Sequence, residues 1–381
     1  MERILHVRFA KRNFDARTFK SALVEKEFLQ VEGIYIIGTE DEHVNEKTSV
    51  IGVKASLKTY QKIPFLKTFI LYYKWYRRVY EIIKSKKITI LSLHNVNDLL
   101  VLLPIIFSKK NFKIIYCPHE LETETTWLLK NKRHKYIFKI IERFFIKYVD
   151  EVIVVSSLIA SWYEKEYSLK KTPTVVRNIP LNKDGKQIQR EIDLKKQLSI
   201  RYEEILFLYH GMLNKGSRGI EETLDIFCSI NSPHVLFIGE GDYLKEILNA
   251  RKNHQNIHHI PFIPNDQLFS YIIQSDVGIN IGAGKSLNAL YSLPNKLFEC
   301  MQAGIPVLYM NIPEISIIIK KCNIGWVAES LTEVRQIIES ITIDTVIEKK
   351  QVVEKMKSEF LWETEAEKIR VVYRSLLDKT V

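Results

Sequence analysis

Short apolar runs alternate with longer amphipathic stretches through most of this chain. The short runs fit strands buried on both faces and the longer ones fit helices that cover them. Regular alternation of the two marks a parallel sheet built from βαβ units. The pattern predicts strands at 3–9, 33–37, 88–93, 113–117 and 151–155 in the first half. In the second half it predicts strands at 205–209, 234–238, 257–260, 277–281 and 306–309, with a short last one at 325–327. Helical segments separate nearly all of them, and a polar stretch at 181–190 reads as a linker between the two sets. The expected fold class is therefore α/β, with two doubly wound, Rossmann-like domains of similar size. Ligands of such sheets bind beyond the carboxyl ends of the strands, so two facing domains imply a central cleft.

The predicted helix at 67–87 carries apolar residues at helical spacing and a strongly basic remainder. Tyr72, Tyr73, Trp75 and Tyr76 add side chains favoured at a membrane surface. The same pattern fits a helix that packs on the core and solvates its basic face.

Composition narrows the classes. A chain of 381 residues exceeds what one core usually supports. The net charge of +11, from 56 Lys and Arg against 45 Asp and Glu, favours anionic partners: nucleotides, phospholipid surfaces or nucleic acid. No RRM-like or zinc-finger pattern supports the last, so nucleic acid is not expected. Cys117, Cys228, Cys300 and Cys322 form no C-x-x-C pair, which suits reduced thiols in a cytosol. His254, His258 and His259 cluster without a cysteine or carboxylate to complete a ligand set, and no metal is expected there. The first residues lack an apolar core of the kind a signal peptide needs, and the apolar run 99–107 is far below the ~18–20 residues of a membrane span. The expectation is a soluble, cytoplasmic protein.

The most informative stretch is Ser292-Leu-Pro-Asn-Lys-Leu-Phe-Glu-Cys-Met-Gln-Ala-Gly-Ile-Pro-Val307. It reads as a tight entry, a short helix, a glycine stop and a buried strand. Lys296 and Glu299 are three apart, so they share one helix face, where an ammonium can meet phosphate and a carboxylate can accept from a diol. An ordinary surface ion pair has the same spacing. After the strand at 205–209 comes His210-Gly-Met-Leu-Asn-Lys215-Gly-Ser-Arg218-Gly219, two of whose glycines and two cations lie between a strand and a helix. Backbone N–H groups, a helix N-terminus and positive charge suit a phosphate there, although a basic solvated loop is the plain alternative. Gly282-Ala-Gly-Lys-Ser286 ends like a P-loop, but the pattern needs a glycine where Ile279 stands. His119-Glu120 follows a strand, which aims polar side chains at a binding edge or satisfies local backbone.

Together these pieces resemble the GT-B glycosyltransferases, specifically the retaining, family-4-like enzymes that build bacterial surface polysaccharides. Residues 294–307 look like the family's P-x-K-x-x-E-x-x-x-x-G-x-P-V box, Tyr209-His-Gly211 with Arg218-Gly219 like its phosphate loop, and Gly239-Glu-Gly241 like its G-x-G turn. His119-Glu120 matches a family H-E pair, and residues 361–373 resemble a terminal helix that returns to the N-terminal domain. The resemblance implies an acceptor-binding domain at 1–180, a nucleotide-sugar-binding domain at 181–360 and the returning helix at 361–381. It implies a nucleotide-sugar donor held by Gly211, Lys215, Gly241, Asn295 and Glu299, with Glu299 on the ribose hydroxyls. Arg218 and Lys296 would neutralise the departing diphosphate and His119 would lie close to the transferred sugar. No cofactor or metal is implied, since cations take the metal's electrostatic role and the chain has no D-x-D. The implied acceptor is a lipid-linked or oligosaccharide glycan, at the cytoplasmic face of the membrane.

Two positions depart from the family pattern. Tyr291 stands where many relatives carry a second glutamate, and residues 9–17 contain no glycine where many have a glycine-rich loop. The first departure keeps open a catalytically silent partner subunit of another transferase, and a GT-B nucleotide-sugar epimerase is a further alternative.

Overall fold

A computed structural model describes residues 2–8, 16–29, 33–38, 43–45, 48–52, 65–108, 112–181, 193–216, 219–282 and 284–378. The chain divides into two units, Met1–Arg177 with Glu365–Val381, and Asn178–Thr364.

The first unit contains β1 (Arg3–Val7), β2 (Gly33–Gly38), β3 (His43–Asn45), β4 (Thr48–Gly52), β5 (Ile90–Leu93), β6 (Lys113–Tyr116), β7 (Glu151–Val154) and β8 (Thr174–Val175). Their order in the sheet is β3-β4-β2-β1-β5-β6-β7-β8, and every neighbouring pair is parallel except the antiparallel β3 and β4. Three of these strands, β3, β4 and β8, are not evident in the hydrophobic pattern. Two of them end the sheet, where a strand pairs on one side only and needs few apolar residues to hold its place. The apolar run 99–107 is not a strand but a 3-10 turn, Val96–Val101, leading into the helix Leu102–Ile105.

The second unit contains β9 (Leu206–His210), β10 (His234–Ile238), β11 (Ile257–Ile260), β12 (Val277–Asn280), β13 (Val307–Met310) and β14 (Gly325–Ala328), ordered β11-β10-β9-β12-β13-β14 and parallel throughout. Counted within the unit this is the 3-2-1-4-5-6 order of a Rossmann sheet. β9 is buried at all five positions. Leu206 and Leu208 pack on one face with Leu297, Phe298 and Met301, while Phe207 and Tyr209 pack on the other with Phe227 and Phe237. Helices on both faces are what allow so continuous an apolar strand.

The C-terminal helix Trp362–Asp378 belongs to the first unit from Glu365 onward. Arg374 lies 4.7 Å over the Phe28 ring, and Tyr373, 1 % exposed, hydrogen-bonds the Glu25 carboxylate. Near the start of the helix, fully buried Glu365 accepts from Arg177 twice, from the backbone N–H at 2.8 Å and from Nε at 2.7 Å, and pairs with Lys368 at 2.9 Å.

The helix Phe65–Ser85 lies against the 3-10 turn through its aromatic residues. Trp75 is 1 % exposed, and the hydroxyls of Tyr76 and Tyr80 donate to the carbonyls of Asn97 and Val101 at 2.7 and 2.8 Å. Two of the residues read as interfacial therefore serve the interior, while Tyr73, Lys74, Arg77 and Arg78 face outward. The Tyr72 side chain, and the linker beyond Leu181, lie outside the described residues.

Removing the Glu365 carboxylate strands a partly buried guanidinium and a backbone N–H. Glu365→Ala is expected to cost about 3 kcal/mol. Urea unfolding followed by tryptophan fluorescence checks this, with a Glu365→Gln variant losing less because it still accepts from the backbone.

Candidate functional site

Both sheets reverse their winding at one place, between β9 and β12 in the second unit and between β1 and β5 in the first. Polar side chains gather at the carboxyl ends of the strands on each side of these reversals, where doubly wound sheets bind ligands.

In the second unit, β9 ends at His210 and the chain turns through Gly211 at φ +111°. A Cβ on Gly211 would sit 2.9 Å from Cε and 3.0 Å from Nζ of Lys296, so the absent side chain is what admits the lysine. The Lys296 ammonium lies 4.5 Å over the Tyr209 ring, and the residue is 8 % exposed. Lys296 stands in the first turn of the helix Asn295–Gln302, one turn before Glu299. The Glu299 carboxylate is 2.8 Å from Nε2 of His210, with His210 buried and Glu299 28 % exposed. One carboxylate oxygen is thereby oriented by a buried ring while the residue still reaches solvent. At the mouth of the same helix, Asn295 accepts from Asn178 at 2.7 Å.

The loops after β9 and β10 are joined by backbone hydrogen bonds. Gly211 N–H donates to Ile238 O and Leu213 N–H to Glu240 O, both at 2.9 Å, and Tyr243 N–H returns to Leu213 O at 2.9 Å. A Cβ on Gly239 (φ +139°) would lie 2.0 Å from Gly211 O, and one on Gly241 2.1 Å from Leu213 O. Gly241 is thus a packing requirement of the loop that carries Lys215, whose N–H donates to Asp242 at 2.7 Å. Gly219 caps the helix Ile220–Cys228 and runs against the backbone of Ile281 and Gly282. Arg218, expected to neutralise a phosphate, lies outside the described residues. In the P-loop-like segment Ser286 is a helix cap, accepting from Ala289 N–H at 3.2 Å. Of the histidine cluster, His258 is 3.0 Å from His234 on the neighbouring strand, and His259 is 3.0 Å from Gly239 O.

In the first unit, His119 is 9 % exposed and both its ring nitrogens are engaged. Nδ1 is 2.7 Å from a guanidinium nitrogen of Arg8, and Nε2 is 3.0 Å from Nδ1 of His94. His94 Nε2 is 3.0 Å from Nδ1 of His6, whose Nε2 is 2.7 Å from the Glu25 carboxylate. Arg17 donates to the His119 carbonyl at 2.7 Å. Burial, with Arg8 and Arg17 close by, holds His94 and His119 well below the ordinary imidazole value. Burial beside Arg17 pushes Lys20 down to about 7. His6, Glu25 and His94 were not singled out from sequence. The available signal was a histidine inside the predicted strand 3–9 and another just after the predicted strand 88–93, odd choices among apolar neighbours.

Two family models match the sequence: Glycosyltransferase Family 4 over residues 37–179, and the Glucosyltransferase 3-like C-terminal domain over 240–361. No curated protein matches the chain. Among solved structures, sucrose-phosphate synthase from Thermosynechococcus elongatus aligns at TM-score 0.74 and 15% identity, covering 100% of both chains. HepE from Anabaena, in complex with UDP, aligns at 0.68 and 14% identity, covering 98% of this chain and 100% of that one. WaaG, a glycosyltransferase involved in lipopolysaccharide biosynthesis, aligns at 0.65 and 12% identity, covering 97% and 99%. The two Rossmann-like units thus have the GT-B fold. The two sequence matches, both to glycosyltransferase models and falling almost wholly within the first and second unit respectively, together with this fold support a family-4-like GT-B glycosyltransferase.

The lowered imidazole values carry a sign. The unfolded chain takes up protons below the ordinary value of about 6.5, whereas folded His94 and His119 refuse them, so both subtract stability as the pH falls below 6.5 towards their lowered values. Between pH 7.5 and 5.5, His94→Gln is expected to lose less of its own thermal stability than the wild type loses, measured by calorimetry at matched ionic strength.

Proposed function

We propose that this glycosyltransferase moves a hexosyl group from a nucleotide-sugar donor to a lipid-linked or oligosaccharide acceptor, with retention, in the synthesis of a cell-surface polysaccharide. The observation that carries the donor site is Lys296 inserted against Gly211 at the winding reversal, one turn before a Glu299 oriented by His210. In this reading Glu299 accepts from the ribose hydroxyls. Lys296, Arg218 and Lys215 stabilise the charge that grows on the departing diphosphate, and Gly211, Gly241 and Asn295 shape the loops around it. Fixed cations supply what a divalent metal would, so turnover should survive chelation. The UDP and UDP-glucose complexes of HepE support a donor of this class.

Calorimetry with UDP-, GDP-, ADP- and CMP-sugars tests the site. One class should bind saturably, and Glu299→Ala should abolish it. Lys296→Ala should cut turnover by about 10²-fold, the scale of a lost transition-state donor. Silence across the panel would favour the silent partner subunit instead.

The membrane part of the proposal rests on the helix Lys132–Phe145 rather than on Phe65–Ser85. No helix among the described residues is long and apolar enough to cross a membrane. Tyr136, Ile137, Ile140 and Phe144 are 69, 51, 50 and 47 % exposed, with Trp127 and Tyr148 exposed beside them. Lys130, Lys132, Arg133, Arg143 and Lys147 surround this stripe, and the one carboxylate between 126 and 148 is buried Glu142. Apolar exposure ringed by cations suits the anionic inner face of a cell membrane. Vesicles containing phosphatidylglycerol should sediment the wild type, and Ile137→Ser with Ile140→Ser and Phe144→Ser should stay in solution. Equal sedimentation of the two proteins would refute the assignment, while Arg77→Glu with Arg78→Glu should change little.

A further inference from the structure

Four hydrogen bonds run end to end through the winding reversal of the first unit: Arg8 to His119, His119 to His94, His94 to His6, and His6 to Glu25. The chain crosses the adjacent strand ends of β1, β5 and β6, and its histidines and glutamate are at most 9 % exposed. Its polarity is dictated from both ends. A guanidinium only donates, so His119 Nδ1 accepts from Arg8 and the ring proton sits on Nε2. That N–H donates to Nδ1 of His94, which places the His94 proton on Nε2, and the same step repeats at His6. The last N–H meets the Glu25 carboxylate, which only accepts. Starting from Glu25 gives the same three neutral Nε2–H rings. Ser92 Oγ, 3.3 Å from His94 Nε2 and 3.8 Å from Cys117 Sγ, fits as a second, longer acceptor that donates onward to sulfur.

We propose that Glu25, His6 and His94 are positioning residues that act through His119 to set the orientation of the Arg8 guanidinium. Arg8 then meets a phosphate oxygen of a lipid-linked acceptor. An imidazole lone pair orients a guanidinium without neutralising it, which a carboxylate in its place would do. His119 becomes the last link of a relay rather than a direct sugar contact, since both ring nitrogens are already engaged. This assignment rests on the glycosyl-transfer reading above. The other charged and titratable groups around the relay are Asp98, Glu120 and Glu122 near Arg8, then Arg17, Lys20, Cys117 and Tyr373.

The first arm of the test needs no turnover. Long-range 1H–15N spectra of protein labelled at its 10 histidines, assigned with single His→Gln variants, read the tautomer of each ring. His6, His94 and His119 should all be neutral Nε2–H rings at pH 7, and Glu25→Gln should shift the nitrogens of all three. The second arm is kinetic. Glu25→Gln should lower kcat/KM about 10-fold or more through a misplaced contact, Glu25→Asp should recover part of it, and the loss should largely vanish in an Arg8→Ala background. The loss should appear as a raised KM for the acceptor, and a change confined to the KM of the donor would overturn the contact. An Nδ1–H or doubly protonated ring in the chain, or a Glu25→Gln spectrum altered at His6 alone, would overturn the relay. Strictly additive losses in the double variant would overturn its action on Arg8. If Lys296→Ala and Glu299→Ala both leave transfer intact, the donor site fails, and the tautomer spectra still decide the relay.

Discussion

In a parallel sheet wound in both directions from its centre, the two central strands send their following helices to opposite faces. Beyond their carboxyl ends no connection crosses, and backbone groups, helix starts and polar side chains converge on the gap. Both units of this protein are organised around such a gap. In the second, β9 and β12 bracket it, and one lysine enters it over Gly211. Gly211 has no side chain because its φ is positive and the tip of Lys296 lies where a Cβ would be. Gly239 has none because the Gly211 carbonyl does, and Gly241 has none because the Leu213 carbonyl does. The glycines of these two loops thus follow from close packing, one against the lysine tip and two against backbone carbonyls.

The two gaps solve the cost of buried polarity in different ways. The second unit places full charges there, an ammonium over the Tyr209 ring and a carboxylate against His210, on one turn of one helix. The first unit keeps its carboxylate and its guanidinium apart and bridges them with three imidazoles. Neutral rings are far less expensive to bury than ions, and a ring with one donor and one acceptor can pass orientation along a line. Burial, and then the nearby Arg8 and Arg17, reinforce neutrality at His94 and His119 by disfavouring an added proton.

Much of this was legible before any coordinates. The central strands were evident because a parallel sheet covered on both faces needs unbroken apolar runs, and Phe207, Leu208 and Tyr209 supply one. Lys296 and Glu299 stood out because helical spacing puts them on one face, and that spacing is local. The relay was not legible because its members lie far apart in sequence and meet only when β1, β5 and β6 pair. No local rule joins His6 to His94 or His94 to His119. The strands β3 and β4 escaped notice for a different reason: an edge hairpin is specified by its pairing more than by an apolar pattern.

Amphipathicity shows that a helix has two faces and not which of them the fold will use. The helices Phe65–Ser85 and Lys132–Phe145 are both basic and aromatic, and the more aromatic segment of the first drew attention to it. Hydrogen bonds decide the matter. Trp75, Tyr76 and Tyr80 turn inward in the first, leaving mostly charge outside. In the second, Glu142 accepts from the hydroxyls of Tyr116, Tyr163 and Tyr167 at 2.7, 2.6 and 2.5 Å. Three donors converging on one buried carboxylate admit a single rotation of that helix, since a turn about its axis would leave a carboxylate and three phenols unsatisfied in the interior. With the polar side pinned to the core, Ile137, Ile140 and Phe144 have nowhere to go but outward. Their exposure is enforced by a buried polar cluster, so the described residues maintain an apolar surface that they do not themselves cover.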